Sequence, residues 1–271
     1  TMQEALQTTK IHSVAGIIGR QTALLTQRPF RSPHHTVTDV ALVGGGQTPM
    51  PGEISLAHNG VLFLDELPEY KRSALEVMRQ PLEDRKICIA RAKQTVEYPA
   101  SFMLVAAMNP CPCGHYNAPT HACTCTPAMV HKYLGRISGP LLDRIDIQIE
   151  ITPVPFERIN SEQQGEPSAS IRQRVIKARQ LQAERFKDID GIFCNAQMTP
   201  QLMRRYCQID QDSQNMLRIA MERFGLSARA YDRILKVART IADLQGADNI
   251  QMQHTAEAIS YRNLDRSDWG G

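Results

Sequence analysis

Val61-Leu62-Phe63-Leu64 is a run of four apolar residues, and two carboxylates, Asp65 and Glu66, follow it at once. Gly60 before the run and Pro68 after it bound a short segment of the kind that forms a strand buried on both faces of a parallel sheet. Ionised carboxylates do not stay in such a core unpaired. They are expected to emerge at the C-terminal edge of the strand, where open α/β sheets bind ligands. A second apolar run, Phe102 to Met108, ends in Asn109-Pro110 and predicts a neighbouring buried strand that sets Asn109 beside the two acids.

Between these runs, Ser73 to Leu82 has the spacing of a short amphipathic helix. Arg85 to Tyr98 reads as two strands joined by a basic tip, Arg91-Ala92-Lys93-Gln94. Ile145 to Ile151 alternates strictly, the pattern of a half-buried strand. Upstream, residues 1 to about 28 look helical, with Gly16 and Gly19 as interruptions. Pro29 to Gly60 is too rich in Pro and Gly for one helix. Its Gly44-Gly45-Gly46 is not followed by Gly-Lys-Ser/Thr, so a hairpin or loop tip is expected there rather than a phosphate loop.

Residues 161–170 are polar and read as a linker; from there the pattern is helical to the end. Segments Ile171–Phe186, Pro200–Cys207, Asp212–Phe224 and Thr255–Tyr261 surround a strong helix that Ser227 caps and Gly246 stops. The expected division is an α/β parallel-sheet core over residues 1–160 and an all-helical domain over 161–271.

The composition, 42% hydrophobic and 22% charged, is that of a globular protein. A net charge of +3 is too small to indicate nucleic acid, so any such binding must come from local patches. No apolar run approaches the roughly 18 residues of a membrane helix, and no signal peptide is visible. Seven cysteines, four of them clustered, favour a reducing compartment and a metal site over a disulfide framework. The expected location is the cytoplasm.

The candidate chemistry follows from these placements. Asp65 and Glu66 suit phosphoryl transfer, one acid for hydrated Mg²⁺ and the other for water; solvated acids at a strand end are the plainer reading. Asn109 can hold a water or a terminal phosphate, or simply form a turn before Pro110. Cys111-x-Cys113, nine residues, then Cys123-x-Cys125 can supply four thiolates to tetrahedral zinc, with His115 or His121 able to replace one thiol. Reduced cysteines in a loop, or disulfides formed on purification, are the alternatives. Arg144 either pairs with Asp143 or Asp146 or reaches a phosphate on a neighbouring subunit. His34 and His35, if on a strand, face opposite sides and do not share a metal; structural and substrate-facing roles both stand open. Arg91 and Lys93 at the basic tip touch nucleic acid or are merely solvated.

Taken in order, these features resemble the AAA+ ATPases of the branch that contains magnesium chelatase and the MCM helicases, and within it the ComM/YifB-type proteins. Pro33-His-His-Thr36, Val40-Ala-Leu-Val-Gly-Gly-Gly46, Pro51 to Leu67, Asn109-Pro-Cys-Pro-Cys-Gly114 and Ser138 to Asp146 carry the resemblance, which covers nearly the whole chain. It implies Asp65 and Glu66 as Walker B acids, Asn109 as sensor 1 and Arg144 as an arginine finger acting in trans. It also implies Arg229 as the sensor 2 arginine of a helical lid. Residues 85–98 would be a pore-facing hairpin that places Arg91 and Lys93 on DNA. The implied protein is a homo-hexamer that couples hydrolysis of ATP with Mg²⁺ to DNA translocation and branch migration in natural transformation. A chelatase-type ATPase remodelling a protein partner and a non-catalytic zinc-stabilised interaction module are the alternatives. The Walker A pattern G-x-x-x-x-G-K-S/T occurs nowhere in the 271 residues. The resemblance therefore implies a truncated piece, starting downstream of that lysine, that binds ATP weakly and is inactive alone.

Overall fold

A computed structural model describes residues 1–19, 22–90, 95–116, 118, 121–151, 154 and 165–262. The chain divides into two compact units, the first ending at Ile145 and the second beginning at Asp146.

The first unit is α/β. Helix α1 (Met2–Val14) opens with a capping box between Thr1 and Glu4. It stops well short of the expected residue 28. Gly16, at φ +70°, sends its N–H to Ser13 O, and the Ile17 N–H reaches His12 O, which closes the last turn in a Schellman motif. Strands β1 (Phe30–Arg31), β4 (Val61–Leu64) and β7 (Met103–Ala106) form a sheet in the order β1-β4-β7, with both pairs parallel. The first pairing requires Gly60: a Cβ there would lie 2.0 Å from Pro29 O.

Leu62 and Leu64 are fully buried, as the apolar run predicts. Burial on both faces is not found. Val61 and Phe63 are half-buried, Phe30 (64% exposed) stacks on Phe63, and Met103 (58%) and Val105 are exposed. Among the described residues, only one face of this sheet carries a covering layer.

The glycine-rich stretch forms a hairpin. Helix α2 (Asp39–Val43) leads into β2 (Gly44–Gly45), which pairs antiparallel with β3 (Met50–Pro51) ahead of α3 (Glu53–Leu56). Gly44 is at φ +106°, and a Cβ there would lie 2.3 Å from Met50 O, so no other residue fits.

The helix expected over Ser73–Leu82 is two helices, α4 (Arg72–Val77) and α5 (Arg79–Asp84), joined at the buried Met78. Pro81 accounts for the break, because its ring cannot accommodate the carbonyl of Val77 one turn earlier. Strands β5 (Lys86–Ala90) and β6 (Thr95–Pro99) make the expected antiparallel hairpin, with Ile87 opposite Tyr98 and both buried. Helices α6 (Pro127–Leu134) and α7 (Gly139–Leu142) complete this unit.

Residues 145–151 do not form the expected strand. No neighbouring strand pairs with them among the described residues, and Ile147, Ile149 and Ile151 are exposed.

The second unit is helical: α8 (Ser168–Arg185), α9 (Pro200–Tyr206), α10 (Gln211–Phe224), α11 (Ala228–Gln245) and α12 (Met252–Ser260). Thr199, Asp210 and Ser227 cap the N-termini of α9, α10 and α11. Phe186, Met198, Met203, Leu217, Ile234, Ala238 and Ile259 form the centre of its core. No described helix is long and apolar enough to cross a membrane.

Candidate functional site

The parallel pairing of β4 with β7 brings the C-terminal ends of both strands to one edge. Leu64 lies opposite Ala106, and past the ladder the Leu67 N–H bonds to Ala107 O. Asp65 and Glu66 emerge there, both exposed, and Asn109, also exposed, follows the end of β7 on the same edge. The placement of Asp65, Glu66 and Asn109 at the C-terminal ends of two parallel strands agrees with the sequence reading.

The backbone at Glu66 departs from the strand. It adopts the left-handed conformation (φ +51°, ψ +47°), which costs a non-glycine residue roughly 1–2 kcal/mol. Two bonds hold it: the Glu66 N–H donates to Asp65 Oδ1 at 2.9 Å, and Glu66 O accepts from the Glu69 N–H at 2.7 Å. Strain of this kind concentrates at functional sites. Asp65 keeps its second oxygen for other partners, an arrangement that fits Mg²⁺, which takes one or two carboxylates and retains several waters.

A partner that the sequence did not assign reaches this edge from β1. His35 Nδ1 lies 3.0 Å from Glu66 Oε2. His34 and His35 lie in a turn rather than on a strand, and their rings face each other with centroids 4.1 Å apart. The Tyr70 ring stands edge-on to His35, and its hydroxyl donates to Pro33 O at 2.5 Å. Burial first, then the charges of Asp65 and Glu66, push the Tyr70 hydroxyl up to about 12, so it remains a donor. The adjacent Pro-His-His was the local signal, but nothing local tied it to Glu66; only the β1–β4 pairing does that.

Arg144 is 8% exposed. Its guanidinium donates to Pro140 O at 2.7 Å and to the Glu83 carboxylate, and its Nε has no partner among the described residues. Glu83 is its acid here, while Asp146 pairs with Arg233 in the second unit. Arg229 is exposed in the first turn of α11, just after the Ser227 cap. Arg91 and Lys93 lie outside the described residues.

The four cysteines come together. The Sγ atoms of Cys111, Cys113, Cys123 and Cys125 all lie within 4.8 Å of one another. Cys111–Cys113, Cys113–Cys123 and Cys111–Cys123 are 3.4, 3.5 and 3.7 Å apart. Thiolates about 2.3 Å from a tetrahedral zinc stand about 3.8 Å apart, so the donor set fits that ion. His115 and His121 pack edge to face on each other. The His115 and Thr124 N–H groups hold the Cys113 thiol down to about 5. A backbone bond from Cys125 favours the Cys123 thiolate. Burial and the neighbouring Cys113 and Cys111 outweigh it and push that thiol up to about 12. Without a cation, the cluster does not carry four negative charges.

The family model described as "Magnesium chelatase, subunit ChlI" matches residues 1–159, and that described as "Magnesium chelatase, subunit ChlI C-terminal" matches residues 165–262. Competence protein ComM of Haemophilus influenzae is 50% identical over 241 residues, which are 89% of this chain and 46% of ComM. The uncharacterized protein YifB of Escherichia coli is 46% identical over 266 residues, 97% of this chain and 51% of YifB. An uncharacterized protein of Mycobacterium tuberculosis is 43% identical over 260 residues, 96% of this chain and 51% of that protein. The chain spans about half the length of the curated relatives it matches.

Proposed function

This chain belongs to the magnesium chelatase subunit ChlI family and has its α/β AAA+ fold, and on that premise we propose that it is the motor portion of a DNA-translocating ATPase. The observation that carries the reading is the sheet edge where Asp65 and Glu66 leave β4 while Asn109 follows the parallel neighbour β7. A strand end with paired acids beside a polar neighbour suits phosphoryl transfer, in which the protein mainly positions groups and stabilises charge.

In this reading Asp65 holds Mg²⁺, Glu66 orients and deprotonates the attacking water, and Asn109 fixes that water or the terminal phosphate. Arg144 serves a neighbouring protomer of a homo-hexamer, which requires it to leave Glu83, and Arg229 contacts nucleotide from the helical unit. Cys111, Cys113, Cys123 and Cys125 hold a structural zinc, which closes the loop that begins at Asn109. The competence role in ComM's name supports DNA, single-stranded or branched, as the partner, with Arg91 and Lys93 among its contacts and the cytoplasm as the location. The reaction belongs to the whole protein, since this chain contains no Walker A lysine pattern.

The test is ATP hydrolysis by the full-length protein with and without single-stranded and forked DNA, beside a Glu66→Gln variant. DNA is expected to stimulate hydrolysis, and Glu66→Gln to abolish it. Hydrolysis indifferent to DNA would instead support a chelatase-like ATPase that remodels a protein partner.

A further inference from the structure

The residues after β1 and those after β4 run side by side because the two strands are parallel, with Arg31 opposite Leu62. That pairing carries His35 to Glu66, and the contact is well supported on both sides. On the β1 side, Thr36 donates both its N–H (3.3 Å) and its hydroxyl (3.0 Å) to His34 Nδ1, which fixes the His34 ring against that of His35. On the β4 side, Tyr70 is buried, stands edge-on to His35 and bonds to Pro33, so the segment after Glu66 grips the segment that bears His35. Glu66 itself holds a left-handed backbone conformation, and its side chain, 55% exposed, finds its described ion-pair partner in His35.

We propose that His35 is the positioning residue for Glu66, donating Nδ1–H to Oε2 so that the carboxylate stays oriented with Oε1 left for water. The inference rests on the reading of Glu66 as the group that activates water. The arrangement has the form of a base held by a third group. An exposed glutamate otherwise samples many rotamers, and misplacing a reacting group by about 1 Å costs on the order of 10²-fold in rate. His35 touches Glu66 and not the reacting atoms, so its loss acts on turnover rather than on nucleotide affinity.

The experiment measures kcat and KM for ATP in the full-length protein. His35→Ala is expected to lower kcat about 10²-fold with KM unchanged. His35→Phe, which keeps the ring between His34 and Tyr70 but has no donor, is expected to fall equally and serves if His35→Ala does not fold. His35→Asn, which restores an N–H near the position of Nδ1, is expected to recover most of the rate. In a Glu66→Gln background, His35→Ala is expected to change nothing further. Unchanged or faster turnover in His35→Phe, while Glu66→Gln still abolishes hydrolysis, would overturn the His35 role alone. So would a loss that His35→Asn does not recover. Should Glu66→Gln hydrolyse ATP normally, the reading of Glu66 falls and the role of His35 falls with it.

Discussion

At the scale of single residues, the molecule uses histidine in two unlike settings. His35 is partly exposed and meets a carboxylate, whereas His58 is buried where the chain enters β4. His58 Nδ1 accepts the Ser101 N–H at 3.0 Å, which joins the approaches to β4 and β7, and its other nitrogen faces Gln7 Oε1. Burial drives the His58 pKa down to about 4, against a smaller opposing pull from Glu4. The unfolded ring has the ordinary value near 6.5. The folded state thus prefers the neutral ring, and the stability this contributes is complete above about pH 6.5 and is lost as the pH falls toward 4. Urea unfolding of the chain is expected to show its midpoint declining across that window. His58→Asn, which keeps an acceptor near Nδ1 but does not titrate, is expected to flatten the decline while lowering stability at pH 7. An equally steep profile in His58→Asn would show that another group sets it. The two acids of the candidate site were legible in the sequence because ionised groups cannot remain in a core strand. His35 was not, because its contact depends on a two-residue strand with no periodic signal of its own.

At the scale of elements, the helix α11 shows how a pattern read correctly can still conceal what holds it. Its Ser227 cap, its Gly246 stop and the burial of Ile234, Leu235, Ala238 and Ile241 follow from the sequence pattern, whereas Leu244, which the same pattern turns inward together with Val237, is exposed. The ionic network along it was not legible. Asp243, 2% exposed, accepts from Arg185, Asn195 and Arg239, and Arg239 goes on to cap Ala247 O and Asp248 O. Burial opposes the Asp243 charge, but the bonds from Arg185 and Asn195 prevail and hold its pKa below the usual carboxylate value. Removing one member of a buried charge network leaves the others uncompensated, so Asp243→Ala is expected to cost about 3 kcal/mol in denaturant unfolding. A cost under about 1 kcal/mol would mean that water repairs the network. Elsewhere, the β5–β6 hairpin was legible from its apolar positions flanking a basic turn, and β4 and β7 from short apolar runs bounded by turn residues, although those runs overstated the burial of the sheet. Residues 145–151 were misread for a related reason. Alternation says which side chains share a face but does not supply the neighbouring strand that a sheet needs.

At the scale of the whole molecule, the described residues of the stretch between β7 and α6 in the first unit form no helix or strand. Connections of this length without secondary structure are uncommon in compact domains unless something ties them down. The four thiols supply the tie, because Cys111 and Cys113 at one end of the stretch meet Cys123 and Cys125 at the other. A metal that closes the loop removes freedom from the open chain, and its binding energy becomes folding energy. Asn109 stands two residues before Cys111, so a metal bound by the four thiols would order the end of β7 together with the loop. Protein purified without chelator is therefore expected to carry near one zinc per chain. Stripping it is expected to open the four thiols to alkylation and residues 111–125 to proteolysis. The helical unit has its own core, so residues 165–262 produced alone are expected to melt identically with and without chelator. Metal-free protein whose thiols and loop are protected to the same degree would remove zinc from this account. The cysteines would then hold the loop by packing around the buried Cys111 alone.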